Sequence, residues 1–434
     1  MINKLYKSRW IPVLFALLMM ANNASGQNFI RETTSINDDH SLIRRITDTS
    51  WIVYSRTKGE NIFLRAYKTT NSASYLKLNE NNIEITDFEV FHDTVFFCGT
   101  KPGVKPCAVF GMFPLAGFPA CSVYYHYFSD LKSFDKIAML SSSGKTHAAM
   151  TASYLGGYGT MVDIYKTSSS WYYCVANREN MRDMYDDVAV LNNYVVYSSR
   201  AYVGSSAPKY GRAQFVYHSL PAAPTSTVLS TTPLLRYFSS MQATSPILLD
   251  AEYDLLITAT TTSNSKISVG HFSELNYYAS AETATQSGLE IRDLGFNDLN
   301  LETELLVTIQ NATMTGSLIY HFEDYHFMYN YILYSHYYVN QFLYSLVKAG
   351  FNDMLHVSCG HNLTNPGLRI YRYKYTDDDV CVVGRTLSSD FVHYVVLSDE
   401  LQETLLPSPI TLSVMEHDNY STLFQTICPT KDEQ

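Results

Sequence analysis

Residues 320–344 read YHFEDYHFMYNYILYSHYYVNQFLY, eleven aromatics in twenty-five residues, with His321, His326 and His336 among them. Two kinds of chemistry could use such a stretch. Exposed tyrosine rings stack on the apolar faces of sugars, and Tyr325, Tyr329 and Tyr337 are the candidate ligand-binding residues. His321 and His326, with Glu323 and Asp324, are side chains that hold divalent metals. Strand alternation counts against the second use. Residues 321, 323 and 325 share one face and 326 faces the other way, so no metal site is expected. The plainer use is packing, since aromatics chiefly serve burial.

Other chemistry leaves fainter traces. Asp377, Asp378 and Asp379 make an acidic loop, but adjacent side chains diverge and the spacing of a calcium loop is missing. Asn37, Asp38, Asp39 and His40 read the same way, as a solvated turn. No G-x-S-x-G elbow and no glycine-rich phosphate loop occurs. Glu323, Asp353 and Glu416 are carboxylates with no motif around them, and paired-carboxylate chemistry needs a separation in space. Three glycosylation sequons begin at Asn311, Asn362 and Asn419, near chance in so polar a chain. No cofactor is expected.

Seven cysteines are present, and an odd number leaves at least one unpaired. Cys98 and Cys107 flank one loop between two expected antiparallel strands, which makes them the disulfide candidate in an oxidising compartment. Buried thiols are the alternative. No C-x-x-C pair occurs, which excludes a zinc knuckle and a thioredoxin-like centre.

The elements that must position these residues are short strands. The chain is rich in Tyr (35) and Phe (22), whose rings pack well on pleated surfaces, so an all-β fold is expected. Residues 85–112 set the pattern: strand, tight His92-Asp93 turn, strand, Gly/Pro loop, strand. The pattern recurs. DVAVLNNYVVY from Asp187 aligns without a gap on DFEVFHDTVFF from Asp87, and ILLDAEYDLLIT from Ile247 is a further copy. The third strand of successive units ends on Tyr67, Phe113, Tyr165, Tyr217, Phe272, Phe322 and Tyr373, steps of 46, 52, 52, 55, 50 and 51. A near-constant step marks units that bury their faces on one another. Long 3.6-period segments are missing, which excludes helical solenoids. A shorter tail over 391–428 holds about three more strands.

Four short strands per step of this size resemble the blades of a β-propeller, and over residues 28–428 the pattern resembles the secreted propeller proteins of bacteria. The resemblance implies antiparallel four-stranded blades, seven in number with eight as the other count. It carries no catalytic residue across, because there is no repeated Trp-Asp, no second Gly-Gly like Gly156-Gly157 and no sialidase box. An ordinary β-sandwich is the competing architecture.

Lys4, Lys7 and Arg9 precede an apolar run over 11–21, and Ala24-Ser25-Gly26 fits a cleavage site. Residues 1–26 are therefore expected to be a signal peptide, and 27–434 a single propeller domain, secreted or periplasmic, with no membrane anchor after cleavage. Cleavage would remove three positive charges and take the formal charge from −10 to −13, which excludes a general attraction to nucleic acid. Two functions remain. One is a non-catalytic binding or scaffold module for glycan or protein ligands. The other is an extracellular glycan- or peptide-processing enzyme with its site at the channel mouth.

Overall fold

The computed structural model describes strands from Phe29 to Cys428. Side chains are described for most residues from 41 to 173, for 187–190 and 195–197, and for Leu294 and Leu368. Residues 1–28, with the expected signal peptide, lie outside the described residues. Among the described residues the fold is all-β and contains no helix.

Strand β1 (Phe29–Asn37) comes first in the chain and joins the last sheet. Sheet one then follows in chain order: β2 (His40–Thr47), β3 (Ser50–Thr57), β4 (Glu60–Tyr67) and β5 (Ser72–Leu78). Sheet two is β6 (Glu84–Phe91), β7 (Thr94–Lys101), β8 (Cys107–Pro114) and β9 (Val123–Phe128). Sheet three is β10 (Leu131–Ser142), β11 (Lys145–Tyr154), β12 (Gly159–Lys166) and β13 (Trp171–Ala176). Sheet four is β14 (Met184–Leu191), β15 (Tyr194–Arg200), β16 (Ala213–Ser219) and β17 (Leu234–Phe238). Sheet five is β18 (Ile247–Asp250), β19 (Leu255–Thr260), β20 (Asn264–His271) and β21 (Tyr278–Thr283), with the two-residue β22 (Gln286–Ser287) beside β20. Sheet six is β23 (Glu290–Leu299), β24 (Glu302–Gln310), β25 (Thr315–Glu323) and β26 (His326–Ser335). Sheet seven is β27 (Gln341–Lys348), β28 (Leu355–Asn362) and β29 (Gly367–Lys374), and its fourth strand is β1. All these pairings are antiparallel, as tight hairpins between neighbours allow.

The last part of the chain departs from the four-strand expectation. It supplies β30 (Val382–Thr386), β31 (Ser389–Ser398), β32 (Glu403–Thr404), β33 (Ser413–Met415), β34 (His417–Leu423) and β35 (Gln425–Cys428). Each is a fifth strand on a different sheet: β30 beside β26, β32 beside β13, β33 beside β9, β34 beside β5 and β35 beside β1. Strand β31 pairs with both β21 and β17 and fuses sheets four and five into one. Periodicity shows that a strand exists and not which distant edge it joins, so the tail reads in sequence only as irregular strands.

Sheet two shows why these strands read as nearly continuous apolar runs. Alternate residues of a strand face opposite sides, and both sides are packed. On β7, Val95 and Phe97 join a core shared with Ile52, Tyr54 and Phe63 of sheet one. Their neighbours Phe96 and Cys98 join a second core with Phe134, Met150 and Val162 of sheet three. Sheet one is packed on both faces as well. Trp51, Val53 and Leu64 cluster with Leu368 of β29, which brings sheet seven against sheet one.

Turn chemistry follows the expected rules. Lys58 and Gly59 both take positive φ between paired Thr57 and Glu60, the mark of a two-residue hairpin that matches strand twist. His92, with φ of 51°, turns β6 into β7 where the sequence placed a tight polar turn.

The leading strand of sheet two carries a β-bulge at Thr86, where Ile85 faces Gly99 and Asp87 faces Cys98. The bulge brings the Glu84 carbonyl so near Gly99 that a Cβ there would run into the backbone. Gly99→Ala should therefore destabilise the fold by about 1–3 kcal/mol, the range for forcing extra atoms into a packed site. Urea unfolding midpoints measure this, and an unchanged midpoint would show that the bulge can relax.

Candidate functional site

A buried polar group that links several sheets is the carboxylate of Asp87. It sits directly after the Thr86 bulge, and its side chain is 5% exposed. Oδ1 accepts the N–H of Phe88 at 2.9 Å, the next residue along. Oδ2 accepts the N–H of Ile137 at 3.2 Å, on the leading strand of sheet three. Arg44, on the leading strand of sheet one, donates Nη2 to Oδ1 at 2.8 Å and Nε to Glu89 Oε1 at 3.0 Å. It also gives Nη1 to the Ile43 carbonyl. One carboxylate thus joins the leading strands of three sheets. Charge-assisted bonds of this kind are the stronger ones, and both acceptor atoms are used.

The bulge makes this possible, because it re-aims the residue after it. The same irregularity precedes Asp187 on β14 and Asp293 on β23. Asp187 repeats the local bond, accepting the Val188 N–H at 2.8 Å. The gapless alignment of Asp87 on Asp187 was thus a signal of a shared backbone device. It did not extend to Asp293, whose unit has a different hairpin.

Further bonds cross between sheets two and three: Thr86 Oγ1 donates to the Phe134 carbonyl at 2.7 Å, and Thr100 Oγ1 to the Lys132 carbonyl at 2.8 Å. Asp135 accepts the hydroxyls of Ser133 and Ser153, at 2.8 and 2.9 Å. Between sheets one and two, Arg56 pairs with Glu84 at 2.9 Å.

A second cluster pairs His147 with Asp163. The ring Nδ1 lies 3.0 and 3.2 Å from the two carboxylate oxygens, and both side chains are buried. Burial pushes the Asp163 carboxyl above its usual range, opposed by the His147 bond and by the charges of His147 and Lys145. A His–Asp pair is the orienting half of a nucleophilic triad, but the other ring nitrogen must then meet a nucleophile and substrate. Here Nε2 is buried and has no hydrogen-bond partner. The strand register puts Ala149 on the face that carries both groups, and Ala149 packs with Met161 and Val188 between sheets three and four. The arrangement can orient and hold. Sequence reasoning missed this pair, which carries no motif and is recognised only once β11 and β12 are in register.

Of the candidates named from sequence, Tyr325 and Tyr337 lie outside the described residues, as do His336 and Asp377 to Asp379. Tyr329 is placed on β26, opposite His321 of β25, and His326 is opposite Glu323. No group of three or more metal-ligating side chains occurs among the described residues.

The Cys98–Cys107 disulfide is corrected. Cys98 faces Phe110 and Cys107 faces Lys101 across the β7–β8 ladder, and Cys98, Cys107 and Cys121 are free thiols. Residues 98 and 101 are three apart, so the two sulfurs belong to opposite faces of the sheet. The loop ends do meet, but the register slips the two cysteines past each other. Burial pushes the Cys98 thiol well up, helped by the charge of Asp87, and pushes Cys121 up to about 11. Cys107 is raised by burial too, with Lys101 opposing.

Two outcomes follow from this geometry. Asp87→Ala strands two backbone N–H groups and takes from Arg44 one of its two carboxylate partners, and should cost about 3 kcal/mol or more in denaturant unfolding. A loss below that of an ordinary surface change would mean that the sheets hold their places without it. Alkylation of the native chain followed by peptide mapping should modify Cys107 well before Cys98 and Cys121, since the thiolate is the reactive form and access decides the rest. Equal labelling of all three would overturn the packing of sheet two. No family model matches the chain and no curated protein matches it, so what these residues do rests on their geometry.

Proposed function

We propose that the chain is a secreted seven-bladed β-propeller acting as a non-catalytic binding scaffold for a glycan or protein ligand. The carrying observation is the order of the leading strands. Strands β2, β6, β10, β14, β18, β23 and β27 each lie against the next, and β27 lies against β2. Seven sheets arranged so would fan round one axis, with β1 completing the last. The apolar cluster that holds Leu368 with Trp51 supports the same closure. Secretion rests on the charged and apolar segments over residues 4–21.

Binding is preferred to catalysis because the carboxylates of Asp87 and Asp135, both on leading strands, are spent on structure. Asp87 takes two backbone N–H groups and Arg44, and Asp135 takes two hydroxyls. A general acid or base needs a carboxyl turned toward substrate. Such a frame is rigid, and rigid frames present loops well. The aromatic run over 320–344 then supplies the stacking surface, with Tyr325, Tyr329 and Tyr337 as the residues to test.

Purified mature chain on glycan and extracellular-protein arrays should bind a discrete set of ligands without altering them. If the ligand is a glycan, replacing the three tyrosines by alanine should weaken binding about tenfold or more, at about 0.5–1.5 kcal/mol per stacked ring. Turnover of the bound ligand would move the reading to the processing enzyme, and an array without any binding would overturn the scaffold.

A further inference from the structure

The chain after β29 visits the sheets in reverse. Strand β30 lies on sheet six, then residues 389–394 of β31 lie on sheet five and 395–398 on sheet four. Strands β32, β33 and β34 lie on sheets three, two and one, and β35 on sheet seven. Every sheet is touched once, in order, with no return. The contacts are ladders. Strand β34 pairs along its whole length with β5, from His417 opposite Leu78 to Leu423 opposite Ser72.

The seam between sheets one and seven is crossed at both ends of the chain. Strand β1 is paired into sheet seven, and β2 begins sheet one. The second crossing is tighter. Strand β34 ends at Leu423 on sheet one and β35 begins at Gln425 on sheet seven, with Phe424 alone between them. One residue spans about 3.3–3.6 Å per step, so the outer edges of the two sheets cannot part while both strands stay paired.

We propose that strands β30 to β35 form a clasp round the sheets, and that the clasp must undock before sheets one and seven separate. An ordinary propeller seam is held by face packing and one shared sheet. Here a separable ribbon ties each sheet to its neighbours from outside and locks the seam from the opposite end of the chain. Its strands run from two to ten residues, and each is placed by its ladder to a sheet edge. Strand peeling, ladder by ladder, is the way such a ribbon opens. This inference rests on the ring reading above.

The test joins the clasp to sheet one. Ser74 on β5 and Ser421 on β34 are directly opposite in the ladder, within reach of a disulfide. The full chain carrying Ser74→Cys and Ser421→Cys is compared oxidised and reduced, with the bridge verified by peptide mapping. A disulfide acts mainly on the unfolded state, so it slows unfolding only where the bridged contact opens before the barrier. Oxidised protein should unfold in denaturant about tenfold more slowly or better, and reduction should restore the wild-type rate. Equal rates in the two forms overturn the clasp. Electron micrographs of the same protein separate the two ideas: a closed ring with equal rates removes the clasp alone, and an open row of sheets removes the ring reading and the clasp with it.

Discussion

A buried carboxylate with both oxygens occupied is the constraint on which the neighbouring parts depend. Asp87 would be costly to bury bare, since an ionised carboxylate loses several kcal/mol of hydration. It is tolerated because two backbone amides and Arg44 replace the water. Those three donors come from the leading strands of three successive sheets. Apolar burial makes the sheets stick, but it is non-directional and would accept many offsets. Hydrogen bonds at 2.8–3.2 Å accept few. The carboxylate thus fixes how far sheet two slides against its neighbours, and the apolar cores supply most of the energy.

The aromatic excess fits that division. Two twisted sheets leave a deep space between their faces, and large flat side chains fill it. Phe63 is fully buried and meets the rings of Tyr54, Phe88, Phe97 and Phe113 at centroid distances of 5.0 to 5.8 Å. Removing such a ring costs about 3–5 kcal/mol, comparable to losing Asp87. Position matters as well. Gly111 lies opposite Phe97 in the ladder, and any Cβ there would occupy the space of the ring. Small and large are matched across the strand pair, which a count of Tyr and Phe does not reveal.

Much of the fold was legible because it is local. Apolar runs, the His92-Asp93 turn and the alignment of Asp87 on Asp187 all sit within a dozen residues. Each reports backbone geometry that the local sequence must support. The misses are non-local. The pairing of Cys98 with Cys107 failed because a nine-residue spacing says that a loop closes but not in which register. The His147–Asp163 pair was invisible for a related reason. Two ordinary polar residues on neighbouring strands acquire meaning only when β11 and β12 bring them to one face. The tail was the largest miss, since Tyr420 finds Tyr75 across most of the chain.

That last pairing carries a consequence for how the chain is put together. A strand of two or three residues, such as β32 or β33, has no stability of its own. It can form only on an edge that already exists. Closing a long loop costs entropy that grows slowly with length, so the separation between Tyr420 and Tyr75 is affordable once the edge is rigid. The edges are made by the residues synthesised first, and the ribbon that covers them comes last. Until it docks, β5, β9, β13 and β26 each present an unpaired edge, the form in which sheets capture foreign strands. A tail that covers its own sheets in reverse order removes that hazard with the same ladder bonds that tie the sheets together.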